Sequence, residues 1–336
     1  MLRRKPAPAG LDSSTWASRE RIVGVDRLLD RVSRNAADLV QLAPGTLEAR
    51  LYCLQTRGLQ ASGGRLSLPI RSLGRVGTGF ATLTFKLDCP GDAVADGRRV
   101  GTGSVLVWRP GAVYDGISPA GERWATLLVP WSELPRRTDG RPTGGPWRWK
   151  THLLTTRLDS RELDATLVLA RHTERLVERG RVELPASDVA SLRAAWVAVA
   201  RDVFRRAVPF PPPSGAAWRA TLEVRAAERY MLARLAAPVY LPSMCRAIGA
   251  RPRTLQASFR LALGCTPMAY LDLLRLHAVY HELRSRDAAA PGSVAEAARR
   301  CGVTHLSRLA GRFRAIFGAP PSEVLREARA SVARDA

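Results

Sequence analysis

The sequence predicts an α+β protein in which an N-terminal antiparallel β domain, a barrel or sandwich, is joined to a C-terminal all-α domain with two helix-turn-helix units. Short runs rich in Val, Leu, Thr and aromatic residues, separated by Gly, Pro and Asp, fill the region from about Leu47 to Leu184. A Pro-rich stretch follows at Ala207–Gly215, and two similar helical patterns lie beyond it. Strand runs with regular turn signals are typical of antiparallel β folds, and helices paired around a Gly turn are typical of helix-turn-helix units.

The N-terminal segment is expected to contain a tail and then a helix. Residues 1–18 are polar, contain Pro and Ser, and are predicted to be a disordered tail. From Arg19 to Leu42, apolar residues recur with helical spacing, at Ile22, Val25, Leu28, Leu29 and Val32. This spacing predicts one amphipathic helix.

A β-rich sensor or regulatory domain is expected over residues 19–185. Its candidate strands are Leu47–Cys53, Arg65–Ile70, Phe80–Leu87, Ser104–Trp108, Val113–Ile117 and Trp124–Pro130. Their lengths and the turn residues between them are typical of a closed or double-layered antiparallel sheet.

Aromatic residues on these strands are the candidate lining of a small-molecule site. Trp108, Tyr114 and Trp124 fall on strand runs, and Arg109 and Arg123 are candidate anchors for an anionic group. The alternative is that these aromatic rings only fill the interior of the barrel.

Histidine is too scarce for the β domain to be predicted as a metalloenzyme. A metal site on facing strands needs two or three His and a carboxylate, and the region offers only His152 and His172. His277 and His281 have metal-ligand spacing on a predicted helix, but no acidic residue lies between them. They are interpreted as surface or packing residues, and we expect neither a metal, nor a cofactor, nor a catalytic residue.

A helix is predicted over residues 186–206, followed by a linker over residues 207–216. The apolar residues of the helix repeat at intervals of three and four, at Val189, Leu192, Trp196, Val199 and Val203. This heptad seam predicts either packing on the β domain of its own subunit or pairing with a second subunit in a homodimer. The sequence AVPFPPPSG cannot be helical and is expected to hold the two halves apart.

The first helix pair of the C-terminal domain, expected over residues 217–330, is predicted around Gly249. Met244 and Ile248 precede this glycine, and Leu255 and Phe259 follow it with helical spacing. Since Gly allows a positive φ, the turn can set two helices at a steep angle.

A second pair repeats this pattern around Gly302. Val294 and Ala298 precede the glycine, and Leu309 and Phe313 follow it. Ser293 and Glu296 form the sequence pattern of a capping box at the start of this pair.

The residues that face away from these apolar positions are suited to DNA. On the second helix of the first pair they are Arg251, Arg253, Thr254, Gln256, Ala257 and Arg260. On the second helix of the other pair they include His305, Ser307, Arg308, Gly311 and Arg312. Arg pairs with guanine in a bidentate manner, Gln pairs with adenine, and Ser or Thr reaches bases or phosphate. The alternative is a basic, solvated face on a small helical bundle.

Three stretches of the C-terminal domain resemble the AraC-type (AraC/XylS) transcriptional regulators. They are RTLQASF at Arg253–Phe259, GCTPMAYLDLLRL at Gly264–Leu276 and FGAPPSEVLR at Phe317–Arg326. Within the family the chain is most similar to regulators of the ethanolamine-operon type, which share the RTLQ-F motif. The resemblance implies a domain of about seven helices with two helix-turn-helix units, whose second helices enter successive major grooves of one duplex.

The same resemblance extends to the N-terminal half. The run from Val100 to Pro130 is similar to the cupin-like sensor half of these regulators. The resemblance therefore implies a cupin-like fold for the β domain and favours the homodimer. The sequence also departs from the family, because Ala257 and Gly311 stand where relatives often carry larger polar side chains.

Charge and cysteine usage agree with a DNA-binding protein in a reducing compartment. The net charge is +22, and the residues from Ala217 onward carry 19 Arg and nine acidic residues, a net charge of +10 over 120 residues. The five cysteines are scattered and form no CxxC motif. No apolar run is long enough to span a membrane, and we expect a cytoplasmic protein with no membrane partner.

The sequence thus predicts a sequence-specific DNA-binding transcription regulator controlled by a small-molecule effector. Its expected partners are double-stranded DNA and the effector, with RNA polymerase as a further candidate. Two alternatives stay open: a cupin-type barrel enzyme with a DNA-tethering helical half, and an architectural DNA binder without sequence preference.

Overall fold

The chain folds into two facing antiparallel sheets, with helices on both sides of them. The computed structural model describes residues 15–25, 28, 37–56, 58–135, 153–178, 185–210, 215–285 and 291–335. The strands are β1 Trp16–Val23, β2 Ala37–Gln41, β3 Glu48–Thr56, β4 Leu59–Leu66, β5 Ile70–Arg75, β6 Phe80–Asp88, β7 Ala93–Ala95, β8 Arg98–Val100, β9 Ser104–Trp108, β10 Val113–Ser118, β11 Arg123–Pro130, β12 Leu153–Arg157 and β13 Val208–Pro209. One sheet has the order β1-β3-β4-β11-β6-β9-β12-β13, and the other has the order β2-β5-β10-β7-β8.

The helices of the described residues form two groups. Two of them, α1 Ser160–Glu178 and α2 Ala186–Arg206, follow β12. The C-terminal group consists of α3 Gly215–Ala233, α4 Leu241–Ile248, α5 Pro252–Leu263, α6 Pro267–Leu283, α7 Val294–Arg300, α8 Leu306–Phe317 and α9 Pro321–Asp335. The predicted α+β class is confirmed. None of the helices in the described ranges is long and apolar enough to cross a membrane.

The prediction of one amphipathic helix from Arg19 to Leu42 is wrong. Residues 16–23 form β1, which pairs with β3 along its whole length, and residues 37–41 form β2, which pairs with β5. Burial alternates at the end of β1, where Ile22 is buried and its neighbours Arg21 and Val23 are exposed. Pairing with a distant strand satisfies the backbone of β1, and this overrides the local apolar spacing. The predicted tail therefore ends earlier than residue 18, while residues 1–14 lie outside the described residues.

The predicted strand Arg65–Ile70 is also wrong. It spans the end of β4, a connection and the start of β5. Pro69 lies in this connection and has no N–H to donate to a ladder, which is typical of a strand boundary rather than a strand interior. The other five candidate strands correspond to β3, β6, β9, β10 and β11, with boundaries shifted by a few residues at most.

The helix α2 packs on its own subunit. Leu192, Trp196 and Val203 are 0–3% exposed and lie in apolar clusters with residues of the eight-stranded sheet. Trp196 also packs its ring against Phe85, with centroids 6.0 Å apart. This burial favours the first of the two predicted alternatives, packing on the β domain of the same subunit, while pairing with a second subunit stays a prediction.

Sequence reasoning missed α1, which covers the same sheet face. Its signal was present, because Leu163, Leu167 and Ala170 recur with helical spacing and pack into the same core. A reciprocal cap also marks its start: Glu162 N–H donates to Asp159 Oδ1, and Asp159 N–H donates to Glu162 Oε2, both at 2.9 Å.

The segment after α2 does not hold the two halves apart. Val208 and Pro209 form β13 at the edge of the eight-stranded sheet, and Phe210 N–H donates to Leu153 O at 3.1 Å. Residues 211–214 lie outside the described residues. The five-stranded sheet and the C-terminal helices touch directly, and this contact includes the buried ion pair between Arg71 and Glu228.

Candidate nucleic-acid interface

The first helix pair, α4 and α5, meets at Gly249. This glycine has a φ of 70°, and Ala250 N–H donates to Cys245 O at 3.0 Å. The left-handed conformation, which favours glycine, ends α4 abruptly and redirects the chain. Leu255 and Phe259 of α5 are completely buried in the cluster around Met244 and Tyr270. The inner face of α5 is therefore held rigidly by packing.

The outer face of α5 is exposed as the sequence predicts. Arg251, Arg253, Thr254, Ala257 and Arg260 are exposed, and Gln256 is half-buried. No side chain caps the N-terminus of α5. Its first backbone N–H groups and its arginines are thus placed together, which suits contact with phosphate oxygens.

The second helix pair, α7 and α8, meets at Gly302, with a φ of 73°. A Cβ atom here would clash with the carbonyl oxygen of Leu235, so both the backbone conformation and the space require glycine. The predicted cap is present, since Ser293 Oγ accepts a hydrogen bond from Glu296 N–H at 3.1 Å. Phe313 is fully buried and stacks on Tyr280 of α6, with centroids 5.8 Å apart.

The outer face of α8 is also exposed, but one arginine on it is already paired. His305, Ser307, Arg308 and Gly311 are exposed. Arg312 Nη1 lies 3.1 Å from Asp272 Oδ2 of α6. This pair orients Arg312 along the protein surface.

Gly311 is not required by packing. A Cβ atom at this position would meet no atom within 4 Å, and its φ is not positive. The fold would therefore accept a larger side chain at position 311, and the glycine affects only the surface that α8 presents.

The five candidate effector residues do not all meet in one place. Trp108, Tyr114 and Trp124 line a cavity of about 190 Å³ between the two sheets. Arg123 instead pairs with Glu174 of α1 at 2.9 Å, and Arg109 is not among the residues that line the cavity. The anchoring role predicted for the two arginines is not supported by this arrangement.

Sequence reasoning missed the polar groups of this cavity. Lys86 and Thr82 lie on its wall, and Lys86 Nζ pairs with the buried Glu122 at 2.5 Å. Thr82 is 6% exposed, and its hydroxyl finds no hydrogen-bond partner in the described part of the chain. Alternation along β6 could have found them, since the buried apolar residues Ala81, Leu83 and Phe85 occupy the opposite face.

A buried ionic cluster joins the five-stranded sheet to the C-terminal helices. Its members are Arg71, Asp96, Asp115, Arg225, Glu228 and Tyr270. Arg71 lies 3.1 Å from Asp115 and 3.0 Å from Glu228, while Arg225 pairs with both Asp115 and Asp96 at 2.7 Å. No sequence signal links these residues, because their separations along the chain reach well over 100 positions.

The steep helix pairs and their exposed basic faces are typical of a helix-turn-helix domain. Residues 244–327 match the family described as "Helix-turn-helix domain". Over 103 residues the chain is 38% identical to the "Probable thc operon regulatory protein" of Rhodococcus erythropolis. That match covers 31% of each protein, so the chain is aligned over about a third of the length of this curated relative.

Two solved structures are also similar to this part of the chain. A probable AraC family transcriptional regulator from Rhodopseudomonas palustris is 32% identical, covering 32% of this chain and 97% of that one, with a TM-score of 0.30. The DNA-binding domain of AdpA, in complex with a target DNA, is 24% identical, covering 32% and 95%, with a TM-score of 0.29. Residues 244–327 of this chain therefore form a helix-turn-helix domain, and this part of the chain is similar to an AraC family regulator.

Proposed function

We propose that the whole protein is a sequence-specific DNA-binding transcription regulator. Each of the two helix pairs acts as a helix-turn-helix unit, and α5 and α8 enter successive major grooves of one duplex. The observation that carries the proposal is the contrast between the two faces of these helices. Leu255, Phe259, Leu309 and Phe313 are buried, while Arg, Thr, Ser and His side chains cover the outer faces.

Four residues are proposed to read bases. Arg253 and Gln256 on α5, and Ser307 and Arg308 on α8, have the donor and acceptor groups that distinguish base pairs in the major groove. Arg312 is assigned to positioning, because its pairing with Asp272 holds it against α6. The RTLQ-F motif supports a further assignment, to the ethanolamine-operon type of AraC-type regulators.

The N-terminal half is proposed to be a cupin-like regulatory domain that binds a small effector between its sheets. The cavity is lined by aromatic rings and by the polar groups of Thr82 and Lys86, as ligand sites commonly are. Thr82 lies opposite Trp108, and Lys86 lies opposite Trp124, on neighbouring strands of one sheet. The proposed domains are residues 19–185 and 217–330. The protein would act in the cytoplasm on DNA, with RNA polymerase as a further partner, and would not be an enzyme.

A footprint of the full-length chain on the DNA that flanks its own gene tests this function. At physiological salt we expect a protected patch of about two helical turns. Protection no sharper on any sequence than on bulk DNA would favour an architectural binder instead. Metal-dependent turnover of a small molecule would favour the barrel enzyme.

Alanine at Arg253 or Arg308 is expected to weaken binding to the footprinted site by about 1–3 kcal/mol and to relax specificity at one base pair each. The reason is the loss of a bidentate contact with one base, which leaves the phosphate contacts intact. Competition binding against single-base variants of the site measures both effects.

The matched control is Arg205→Ala, which removes an exposed arginine of α2 far along the chain from both reading helices. This variant should keep both the affinity and the base preference of the wild type. If the two reading-helix variants also kept full discrimination, the assignment of these residues as base readers would be wrong.

A further inference from the structure

The side chain of Gln41, the last residue of β2, ties the N-terminal half to the second reading helix. Gln41 is fully buried, and its Nε2 lies 2.7 Å from the carbonyl oxygen of Ile316 in α8. The same nitrogen lies 2.8 Å from Ala43 O and 2.6 Å from Gly45 O. Because three carbonyl oxygens surround this nitrogen, the donor orientation of the amide is the one the site requires.

The loop after β2 continues this contact at the C-terminus of α8. The last carbonyl groups of a helix have no partner within the helix. Gly45 N–H donates to Ala315 O at 2.7 Å, so the loop and Gln41 together satisfy two of them. A Cβ atom at Gly318 would clash with Thr46 Oγ1, so the Thr46 side chain lies directly against the backbone that follows α8.

The backbone of Gln41 makes a second contact with the C-terminal domain. Its N–H donates to Nε2 of His277 on α6 at 3.1 Å. The ring of His277 packs edge-on against Phe317 at the end of α8, with centroids 5.1 Å apart. Phe317 in turn packs against the apolar cluster that includes Ile22 and Leu47 of the N-terminal half.

Neighbouring residues of β2 reach three different parts of the molecule. Leu39 lines the cavity between the sheets. Val40 packs into the core of the first helix pair with Met244 and Phe259. Gln41 bonds to the second pair. One short strand therefore touches both DNA-reading units and the cavity wall.

We propose that β2 and the loop 42–47 form a splint that sets the spacing of the two reading helices, with Gln41 as its positioning residue. This inference rests on the proposed function. Two helices that read one face of a duplex must be held about one helical turn, roughly 34 Å, apart. The long helix α6 joins the two units on one side. The splint adds a second connection, which packs on the first unit through Val40 and is hydrogen-bonded to the second through Gln41.

The spacing requirement of the DNA site tests the splint. The probe is a duplex selected from a randomised library by the full-length chain, together with versions that carry one or two extra base pairs between the half-sites. For the wild type, we expect a two-base-pair insertion to weaken binding more than tenfold. In Gln41→Met, which keeps the side-chain size but removes the amide donor, this penalty should fall to about threefold or less.

A footprint resolved to half-sites gives the second readout. In Gln41→Met the half contacted by α8 should lose protection, while the half contacted by α5 keeps it. Gln55→Met is the matched control, because Gln55 is also a fully buried glutamine, on β3. That change should leave the insertion penalty as in the wild type. Gln41→Asn, which shortens the side chain, is a milder second variant in case Gln41→Met fails to fold.

The outcomes separate the two proposals. An insertion penalty that stays unchanged in the Gln41 variants, or protection that falls equally in both halves, overturns the splint and leaves the regulator intact. A library in which no sequence is enriched overturns the regulator, and the splint with it.

Discussion

Replacing Arg71 with alanine is expected to lower the free energy of unfolding by about 3–5 kcal/mol. The Arg71 side chain is 3% exposed, and it lies 3.1 Å from Asp115 and 3.0 Å from Glu228. It also donates to the hydroxyl of Tyr270 at 3.2 Å. Removing it leaves two carboxylates buried with too little compensating charge, which costs more than the lost contacts alone. Urea denaturation of the full-length chain measures the change.

Arg75→Ala is the control for this prediction. Arg75 lies on the same strand, is exposed, and donates one hydrogen bond to Gly111 O. Its removal should cost no more than about 1 kcal/mol. If both variants lowered the free energy of unfolding equally, the buried cluster would contribute no more to stability than a surface contact. Binding to DNA should also weaken in Arg71→Ala, because Tyr270 of α6, which bonds to Glu228, packs its ring against Phe259 of α5.

The charges of the cluster explain why its tyrosine acts as a donor. Tyr270 donates its hydroxyl hydrogen to Glu228 Oε1 at 2.5 Å. Burial, together with the neighbouring Glu228 carboxylate, raises the pKa of Tyr270 well above its usual value. Tyr270 therefore stays protonated, and two arginines face three carboxylates without a further negative charge.

The helix pairs around Gly249 and Gly302 could be predicted from the sequence because their signals are local. The spacing of Leu255 and Phe259 after Gly249, and of Leu309 and Phe313 after Gly302, defines both the turn and the buried face within about a dozen residues. The outer faces follow by elimination, and the structure exposes the predicted residues on them except Gln256, which is half-buried.

The contacts between the halves could not be predicted, because their partners are distant in the chain. No local sequence pattern marks Arg71, Asp115 or Glu228, and only the fold brings them together. The error over β1 has the same origin. Its backbone partners lie in β3, more than 20 residues away, whereas the apolar spacing that favoured a helix was local.

The role of His277 could be decided only from its position in the structure. Its spacing to His281 permitted either a metal ligand pair or a packing role. The structure buries His277 of α6 against Gln41 and Phe317, where its Nε2 accepts the N–H of Gln41. A histidine that accepts a hydrogen bond in this place must be neutral, which makes the contact between the halves sensitive to pH.

Lowering the pH from 7 to 5 is expected to destabilise the fold by about 2 kcal/mol through His277. Burial, followed by the nearby His281, lowers the pKa of His277 from 6.5 to about 3. Between pH 6.5 and about 3, His277 is therefore protonated in the unfolded chain but not in the folded chain. The stabilising contribution is fully present above pH 6.5 and is lost as the pH falls from 6.5 towards 3. The slope in that interval is about 1.4 kcal/mol per pH unit.

His277→Gln isolates this contribution, because its amide oxygen can still accept the Gln41 N–H but cannot titrate. Urea unfolding at pH 5 and 7 should show a smaller pH effect in this variant than in the wild type, by about 2 kcal/mol. Arg71, Glu228 and His281 line the same small cavity and are retained in this variant. His305→Gln, at an exposed position of α8, should reproduce the wild-type pH effect. If His277→Gln did so as well, protonation of His277 would not be what loosens the contact between the two halves.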